Sequence, residues 1–260
     1  MKNKNNFEYS PDLYDLQVNW PQRLSKEKNF FEKIIIRNNI KKILDVGCGT
    51  AHHVQMFSEI LHEHSLHETV FASDPSEEML EYAAKNVIRA KNIKLIKGGF
   101  SDIETMTPGS FDMITCLGNT LALLKNRKNV KAALKSTRRK LASGGLAVFQ
   151  FLNFEPKIME KNRFYQPKIS ASGDSKYIFL KHFEFGKINT RADFIIIQLD
   201  SSDNIVNFYN NSSNMCTLRK NIFLKMAQNA GFKKVELLGT GGQEQFDKNK
   251  HISLYALLYK

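Results

Sequence analysis

Along the chain, short apolar or β-branched runs alternate with longer segments in which apolar residues recur at helical spacing. An opening polar stretch leads into an aromatic-containing helical region that reaches about Asn39. Lys42 to Val46 then reads as a strand entering Gly47-Cys48-Gly49, and helix follows from about His52 to Leu61. A strand from Thr69 to Ser73 ends at Asp74. Ser76, followed by Glu77 and Glu78, starts a helix running to about Ala90, because acids are favoured at the positive end of the helix dipole. Strands Ile93 to Ile96, Phe111 to Leu117 and Leu146 to Leu152 come next, with a basic helix before the last of them. This regular β-α alternation predicts a parallel sheet covered by helices on both faces.

After Asn153 the rhythm changes. Tyr177 to Phe185, Asp193 to Leu199 and Ile205 to Tyr209 read as antiparallel strands separated by polar turns. Helix resumes near Thr217, a residue able to cap it, and stops at Gly231, which tolerates the left-handed conformation. Lys234 to Leu238 and Ile252 to Tyr259 close the chain with no helix between them. A parallel crossover needs a dozen or more residues and usually a helix, so this pair is expected to be antiparallel. The predicted fold is α/β: a Rossmann-like, mostly parallel seven-stranded sheet with a reversed last strand, plus an antiparallel β insertion after the fifth strand. Residues 1–260 are read as one domain, with 1–40 as a helical N-terminal segment and 155–215 as the insertion.

Composition narrows the classes. With 260 residues, 42% hydrophobic and 25% charged, the chain has the makeup of a globular domain and not of a disordered segment. Its longest apolar run, Leu141 to Phe154, is shorter than the ~20 residues that cross a bilayer, and no apolar signal follows Met1. A cytoplasmic location is the expectation, and no membrane partner is expected. Cys48, Cys116 and Cys216 are odd in number and lack metal-ligand spacing, which fits a reducing compartment and no resident metal. The net charge of +12 raises the prospect of an acidic partner such as RNA. Yet 29 of the 38 basic residues are lysine, and arginine is the better residue for bidentate phosphate contacts. The run from Lys125 to Lys140 contains no acid, but Val130, Leu134 and Leu141 give it an amphipathic helical pattern with a solvated face. Nucleic acid is therefore not the expected partner. His62, His64 and His67 fall where a helix should give way to a loop, and read as a solvated connection.

Ile43 to Ala51 runs a strand into a tight glycine turn that opens a helix, the place where open α/β sheets bind nucleotides. Gly47 and Gly49 let backbone approach a ligand closely. Asp74, at the end of the next strand, can accept both hydroxyl hydrogens of a ribose; it can equally serve as a plain helix cap. A dinucleotide fingerprint would want glycine where His52 stands, and no phosphate-loop motif occurs. A nucleoside without phosphates is left, and S-adenosylmethionine fits that description.

Leu44 to Ala51, Asp74-Pro75-Ser76-Glu77-Glu78-Met79-Leu80 and Phe111-Asp112-Met113-Ile114 resemble the successive motifs of class I S-adenosylmethionine-dependent methyltransferases. Ala51 stands where that family commonly has a third glycine. Cys116-Leu117-Gly118-Asn119-Thr120-Leu121 is similar to a stretch in glycine N-methyltransferases, and Gly99-Phe100-Ser101-Asp102 occupies the position of their adenine loop. The resemblance implies a cofactor pocket drawn from Gly47, Cys48, Gly49, Asp74, Pro75, Met79, Gly99, Phe100, Ser101, Cys116 and Leu117. It also implies that 1–40 lids the cofactor through Tyr14, Trp20 and Arg23, with Arg23 facing the methionine carboxylate.

Methyl transfer from a sulfonium is an in-line displacement with a neutral leaving group, so positioning and desolvation supply much of the catalysis. The expected acceptor is a small amine or amino-acid-like compound. Asn119 is the candidate catalytic residue, able to donate to a substrate carboxylate or accept from an amine; a turn-stabilising role is the alternative. Arg163 and Arg191 are candidate anion anchors. Two rival readings stay open: an RNA methyltransferase using the basic helix, and a non-catalytic S-adenosylmethionine-binding protein.

Overall fold

Ile43–Val46 (β1) is buried at all four positions, which places it at the centre of a sheet with both faces covered. In the computed structural model, which describes residues 10–66, 68–107, 109–161 and 163–260, β1 lies between two parallel neighbours. These are Val70–Asp74 (β2) and Phe111–Cys116 (β4). Ile93–Lys97 (β3) pairs parallel with β2, and Leu141–Leu152 (β5) pairs parallel with β4. Lys234–Leu238 (β10) and Ser253–Tyr259 (β11) complete the order β10-β11-β5-β4-β1-β2-β3, and β11 runs antiparallel to both its neighbours. The seven-stranded, mostly parallel sheet with a reversed last strand is thus the expected one.

Alternation along the strands feeds two apolar layers. Leu44, Val46, Ile114 and Phe149 point to the face covered by Arg127–Lys140 (α5) and Lys220–Asn229 (α7), where Val130, Leu134, Phe223 and Met226 meet them. Ile43, Val70, Met113 and Val148 point to the other face. There Phe31, Ile35, Val54, Phe57 and Leu80 come from Trp20–Arg37 (α2), His52–Glu63 (α3) and Glu77–Tyr82 (α4).

The departures from the expected elements have local causes. The N-terminal helical region is two helices, Pro11–Gln17 (α1) and α2, divided at Val18-Asn19; the Asn19 side chain accepts from Gln22 N and caps α2. The helix begun at Ser76 gives way to a π-helical turn over Ala83–Val87 and stops short of Ala90. β5 starts at Leu141, five residues early, because Leu141 pairs with Phe111 across a bulge that absorbs Gly144 and Gly145. Leu141 is therefore a strand residue and not part of α5. Thr217 does not cap α7: its hydroxyl bonds Thr190 and the Gly186 carbonyl, and the cap position falls to Arg219.

A short helix, Pro156–Lys161 (α6), leads from β5 to a second, four-stranded antiparallel sheet of Lys168–Ser172 (β6), Ser175–Phe185 (β7), Asn189–Leu199 (β8) and Ile205–Cys216 (β9), in that order. It stands beside the ends of β4 and β5. The Lys168 ammonium donates to the Leu16 and Gln17 carbonyls at 2.8 Å each, and Ser170 Oγ also donates to Leu16 O, strapping this sheet to the end of α1. Among the described residues, no helix is long and apolar enough to cross a membrane.

Candidate functional site

The glycine turn leaves β1 with Gly47 at φ +74° and Gly49 at φ +55°, conformations that L side chains rarely adopt. A Cβ on Gly47 would lie 2.3 Å from Thr120 Cγ2, so the turn packs without a gap against the segment after β4. Gly47 N and Cys48 N both donate to Ser73 O, and Gly49 N donates to Asp74 Oδ2 at 2.8 Å. Asp74 Oδ1 accepts from Ser76 N at 2.9 Å. One carboxylate thereby joins the ends of β1 and β2, while Ser76 caps α4 by accepting from Met79 N. Burial pushes the Asp74 carboxyl upward, against the two backbone donors. Ala51, in the place of a third glycine, holds φ +63° as the residue before α3.

The two N-terminal helices close over this turn through Tyr14, Trp20 and Arg23, which the sequence singled out, and through Asp15 and Glu27, to which it did not point. Asp15 accepts from Trp20 Nε1 and Thr50 Oγ1 and pairs with His52 Nε2, at 2.7 to 2.8 Å. Trp20 stacks on His52 at 4.4 Å, and the Tyr14 ring lies over Gly49 and Gly118. Glu27, 6% exposed, binds Arg23 Nε at 3.1 Å, His53 Nε2 at 2.6 Å and the Tyr255 hydroxyl. Burial alone would raise the Glu27 pKa; His53, then Arg23 and Tyr255, outweigh it and hold it at about 2. His52 and His53 thus anchor the N-terminal helices.

Beside the strand ends lies a cavity of about 750 Å³, within the usual range for small-molecule sites. Its walls come from α1 and α2 (Tyr14, Gln17, Arg23), from the ends of β4 and β5 (Gly118, Asn119, Gln150), and from the second sheet (Lys181, Phe183, Phe194, Met215). Met79, Tyr255 and Gly241 also reach it. Of the residues singled out from sequence, Tyr14, Arg23, Met79 and Asn119 line this space.

The remainder frame it from behind or lie elsewhere. Gly47, Cys48, Gly49 and Asp74 form the turn beneath Tyr14, and Trp20 is locked on His52. Phe100, 8% exposed, turns into the core against Phe149, while Ser101 is exposed and donates to Asp102 Oδ2, which also accepts from Gly99 N. Pro75 is exposed at the head of α4. Cys116 and Leu117 are buried beneath Gly118, and burial pushes the Cys48 and Cys116 thiols well above their ordinary range. Asn119, at φ +69°, accepts from Leu152 N through Oδ1 and donates from Nδ2 to Met215 Sδ at 3.0 Å. It ties β5 to β9 as well as facing the cavity.

Arg191 pairs with Asp193, and neither it nor Arg163 lines the cavity; the cation of the second sheet that does so is Lys181. In α5, Arg138 is bound to the Gly231 carbonyl, Arg139 to Glu104, and Lys140 to the Glu104 and Thr107 carbonyls. None of the cations of α5 lines the cavity. Among the described residues, no group of three His, Cys, Asp or Glu is placed to hold a metal ion; His67 lies outside them.

A family described as a methyltransferase domain matches residues 43–145, the span from β1 into β5 that carries the glycine turn, Asp74 and Asn119. Residues 43–145 thus match a methyltransferase domain, within a sheet whose strand order is the expected one. The chain is 23% identical over 229 residues to the glycine/sarcosine N-methyltransferase of Halorhodospira halochloris, a match covering 88% of this chain and 79% of the relative. To the glycine/sarcosine/dimethylglycine N-methyltransferase of Actinopolyspora halophila it is 22% identical over 253 residues, covering 93% of this chain and 41% of that one. Its fold superposes on that of an S-adenosylmethionine-dependent methyltransferase from Clostridium acetobutylicum with a TM-score of 0.72, at 17% identity, over 95% of this chain and 94% of the other. The matched region carries the glycine turn, Asp74 and Asn119, and the second sheet, outside it, walls the same cavity.

Proposed function

We propose that this chain transfers a methyl group from S-adenosylmethionine to the amine of a small molecule, in a reducing, cytoplasmic compartment. The observation that carries the reading is the joining of the glycine turn to Asp74 at the strand ends, behind Tyr14, which lines a cavity walled by the N-terminal helices and the second sheet.

The residues present fit the cofactor. Each Asp74 oxygen accepts one backbone N–H and retains further acceptor capacity for ribose hydroxyls. A Cβ built on Gly99 meets nothing within 4 Å, so a flat base has room over that backbone. Gln17 Nε2 is a buried donor with no partner among the described residues, on the cavity wall. In this reading Gly47, Gly49 and Asp74 hold the nucleoside, Met79 packs beside it, and Arg23 faces the methionine carboxylate from α2. When bound, the cofactor supplies an electrophilic methyl group on a sulfonium.

The chain's own residues then orient and desolvate. Residues 10–37 act as a lid, with Tyr14 above the turn and Asp15 pinning α1 to the start of α3. Asn119 retains an amide proton beyond the one directed at Met215, available to an oxygen of the acceptor. Phe183 and Phe194 exclude water from the acceptor side, and no covalent nucleophile is required. The names of the curated relatives, which act on glycine and sarcosine, support an amine acceptor.

Calorimetric titration with S-adenosylmethionine, followed by release of S-adenosylhomocysteine with pooled small amines, tests the reading. Cofactor binding with amine-dependent turnover is expected. Absence of cofactor binding overturns it, and binding without turnover on any amine leaves a sensor in its place.

A further inference from the structure

The second sheet turns one face to the cavity. Because side chains alternate along a strand, register fixes which residues share that face. Lys181 on β7 stands opposite Phe194 on β8, which stands opposite Asn211 on β9. In the next row on the same face, Phe183, Ala192 and Ser213 follow. Tyr165 joins from the segment before β6: its backbone N–H donates to the Lys181 carbonyl, and its ring lies 5.3 Å from that of Phe183.

Two polar groups on this face are unsatisfied. Lys181 makes no ion pair or hydrogen bond among the described residues, although its ammonium lies 5.7 Å from the centre of the Phe194 ring. The Tyr165 hydroxyl is buried with no hydrogen-bond partner among them. Two other cations nearby are engaged, Lys168 with the Leu16 and Gln17 carbonyls and His182, on the opposite face of β7, with Asp193, while Lys26 is exposed. The cavity wall carries Arg23, Lys26 and Lys181 against a single acid, Glu27, which Arg23, His53 and Tyr255 already hold.

We propose that Lys181 and Tyr165 form the anion-binding end of the acceptor pocket, so that the methyl acceptor is an amine that also carries an oxyanion, with an apolar body lying between Phe183 and Phe194. The inference rests on reading the cavity as the acceptor site of methyl transfer. An unpaired ammonium and an unbonded phenol hydroxyl on an apolar wall are both donors, and one carboxylate or phosphate satisfies both. Burial, with Lys168 and Arg23 adding like charge, depresses the Lys181 pKa to about 8, a penalty that a bound anion offsets. A lysine suits a compact point contact with either oxyanion, where a planar bidentate pairing would call for arginine.

The test is calorimetry on the full chain loaded with S-adenosylhomocysteine, titrated with two matched pairs: phenylalanine against phenethylamine, and phosphoethanolamine against ethanolamine. In at least one pair the anionic member should bind at least tenfold more tightly, and the pair that shows it identifies the oxyanion. Lys181→Met should reduce that preference to within about threefold and Tyr165→Phe should weaken it, while both variants keep wild-type affinity for S-adenosylhomocysteine. Equal affinities within both pairs overturn the proposal, as does a preference that survives in Lys181→Met. If Lys181 serves only its ring contact with Phe194, Lys181→Met lowers the melting temperature and leaves the preference unchanged. Failure of the wild-type chain to bind S-adenosylhomocysteine removes the cofactor reading, and the inference falls with it; that result is separate from a lost anion preference in a chain that still binds the nucleoside.

Discussion

Asp74 Oδ2 accepts the Gly49 N–H at 2.8 Å, so the carboxylate at the end of one strand holds the glycine turn at the end of its neighbour. Asp74→Ala removes both this support and the proposed ribose acceptor. S-adenosylmethionine affinity should fall by roughly 1.5 to 3 kcal/mol, the range for a hydrogen bond to a charged group. Because burial raises the Asp74 pKa, protonation begins at higher pH than for an ordinary carboxylate. Affinity measured against pH should therefore begin to fall while exposed carboxylates are still ionised. An unchanged calorimetric affinity in a folded variant removes Asp74 from the site.

Gly47→Ala places a methyl group against Thr120 in a backbone conformation that disfavours any side chain. A destabilisation of about 1 to 3 kcal/mol is expected from overpacking and strain. Removing Thr120 Cγ2 by Thr120→Ser should recover part of it, so the double variant unfolds at a higher temperature than Gly47→Ala alone. Additive effects in a double-mutant cycle would show that the two residues do not touch.

Trp20 is the only tryptophan in the chain and is 6% exposed, which makes its fluorescence a direct report on the N-terminal helices. Asp15→Ala deletes the acceptor shared by Trp20, Thr50 and His52. Red-shifted emission and a loss of roughly 1 to 3 kcal/mol should follow. Wild-type emission in that variant would show that Asp15 does not hold α1 in place.

Glu27 has a folded-state pKa of about 2 against an ordinary 4.5, so its ionised form stabilises the fold. The contribution is complete above the unfolded value and disappears as pH falls from about 4.5 through 2. At about 1.4 kcal/mol per pKa unit, it amounts to roughly 3 kcal/mol. Urea unfolding across that window should lose this increment in the wild-type chain, and Glu27→Gln should flatten the slope. Identical slopes would place the acid sensitivity elsewhere.

The centre of the seven-stranded sheet was readable because β1, β2, β4 and β5 carry compact apolar runs, and its reversed last strand because no helix pattern separates β10 from β11. β6 was not: Lys168-Ile169-Ser170-Ala171-Ser172 is polar and partly exposed, and it exists by pairing with β7 and strapping α1. The glycine turn and Asp74 were legible as local motifs. Glu27 and Tyr255 were not, since they meet across 228 positions and nothing local marks either. Lys181 did leave a signal: Phe179, Lys181, Phe183 and Phe185 alternate along one strand, and a lone cation on an apolar face needs a reason. Thr217 misled because its hydroxyl had a better partner in Thr190 than in the helix it precedes.

The strap from Lys168 and Ser170 to the last carbonyls of α1 joins the segment above the glycine turn to the sheet that walls the far side of the cavity. Neither can swing away without breaking those three bonds or dragging the other with it. The two ends of the cavity are therefore expected to move together, so that a molecule lodged against the second sheet slows departure of whatever lies beneath α1.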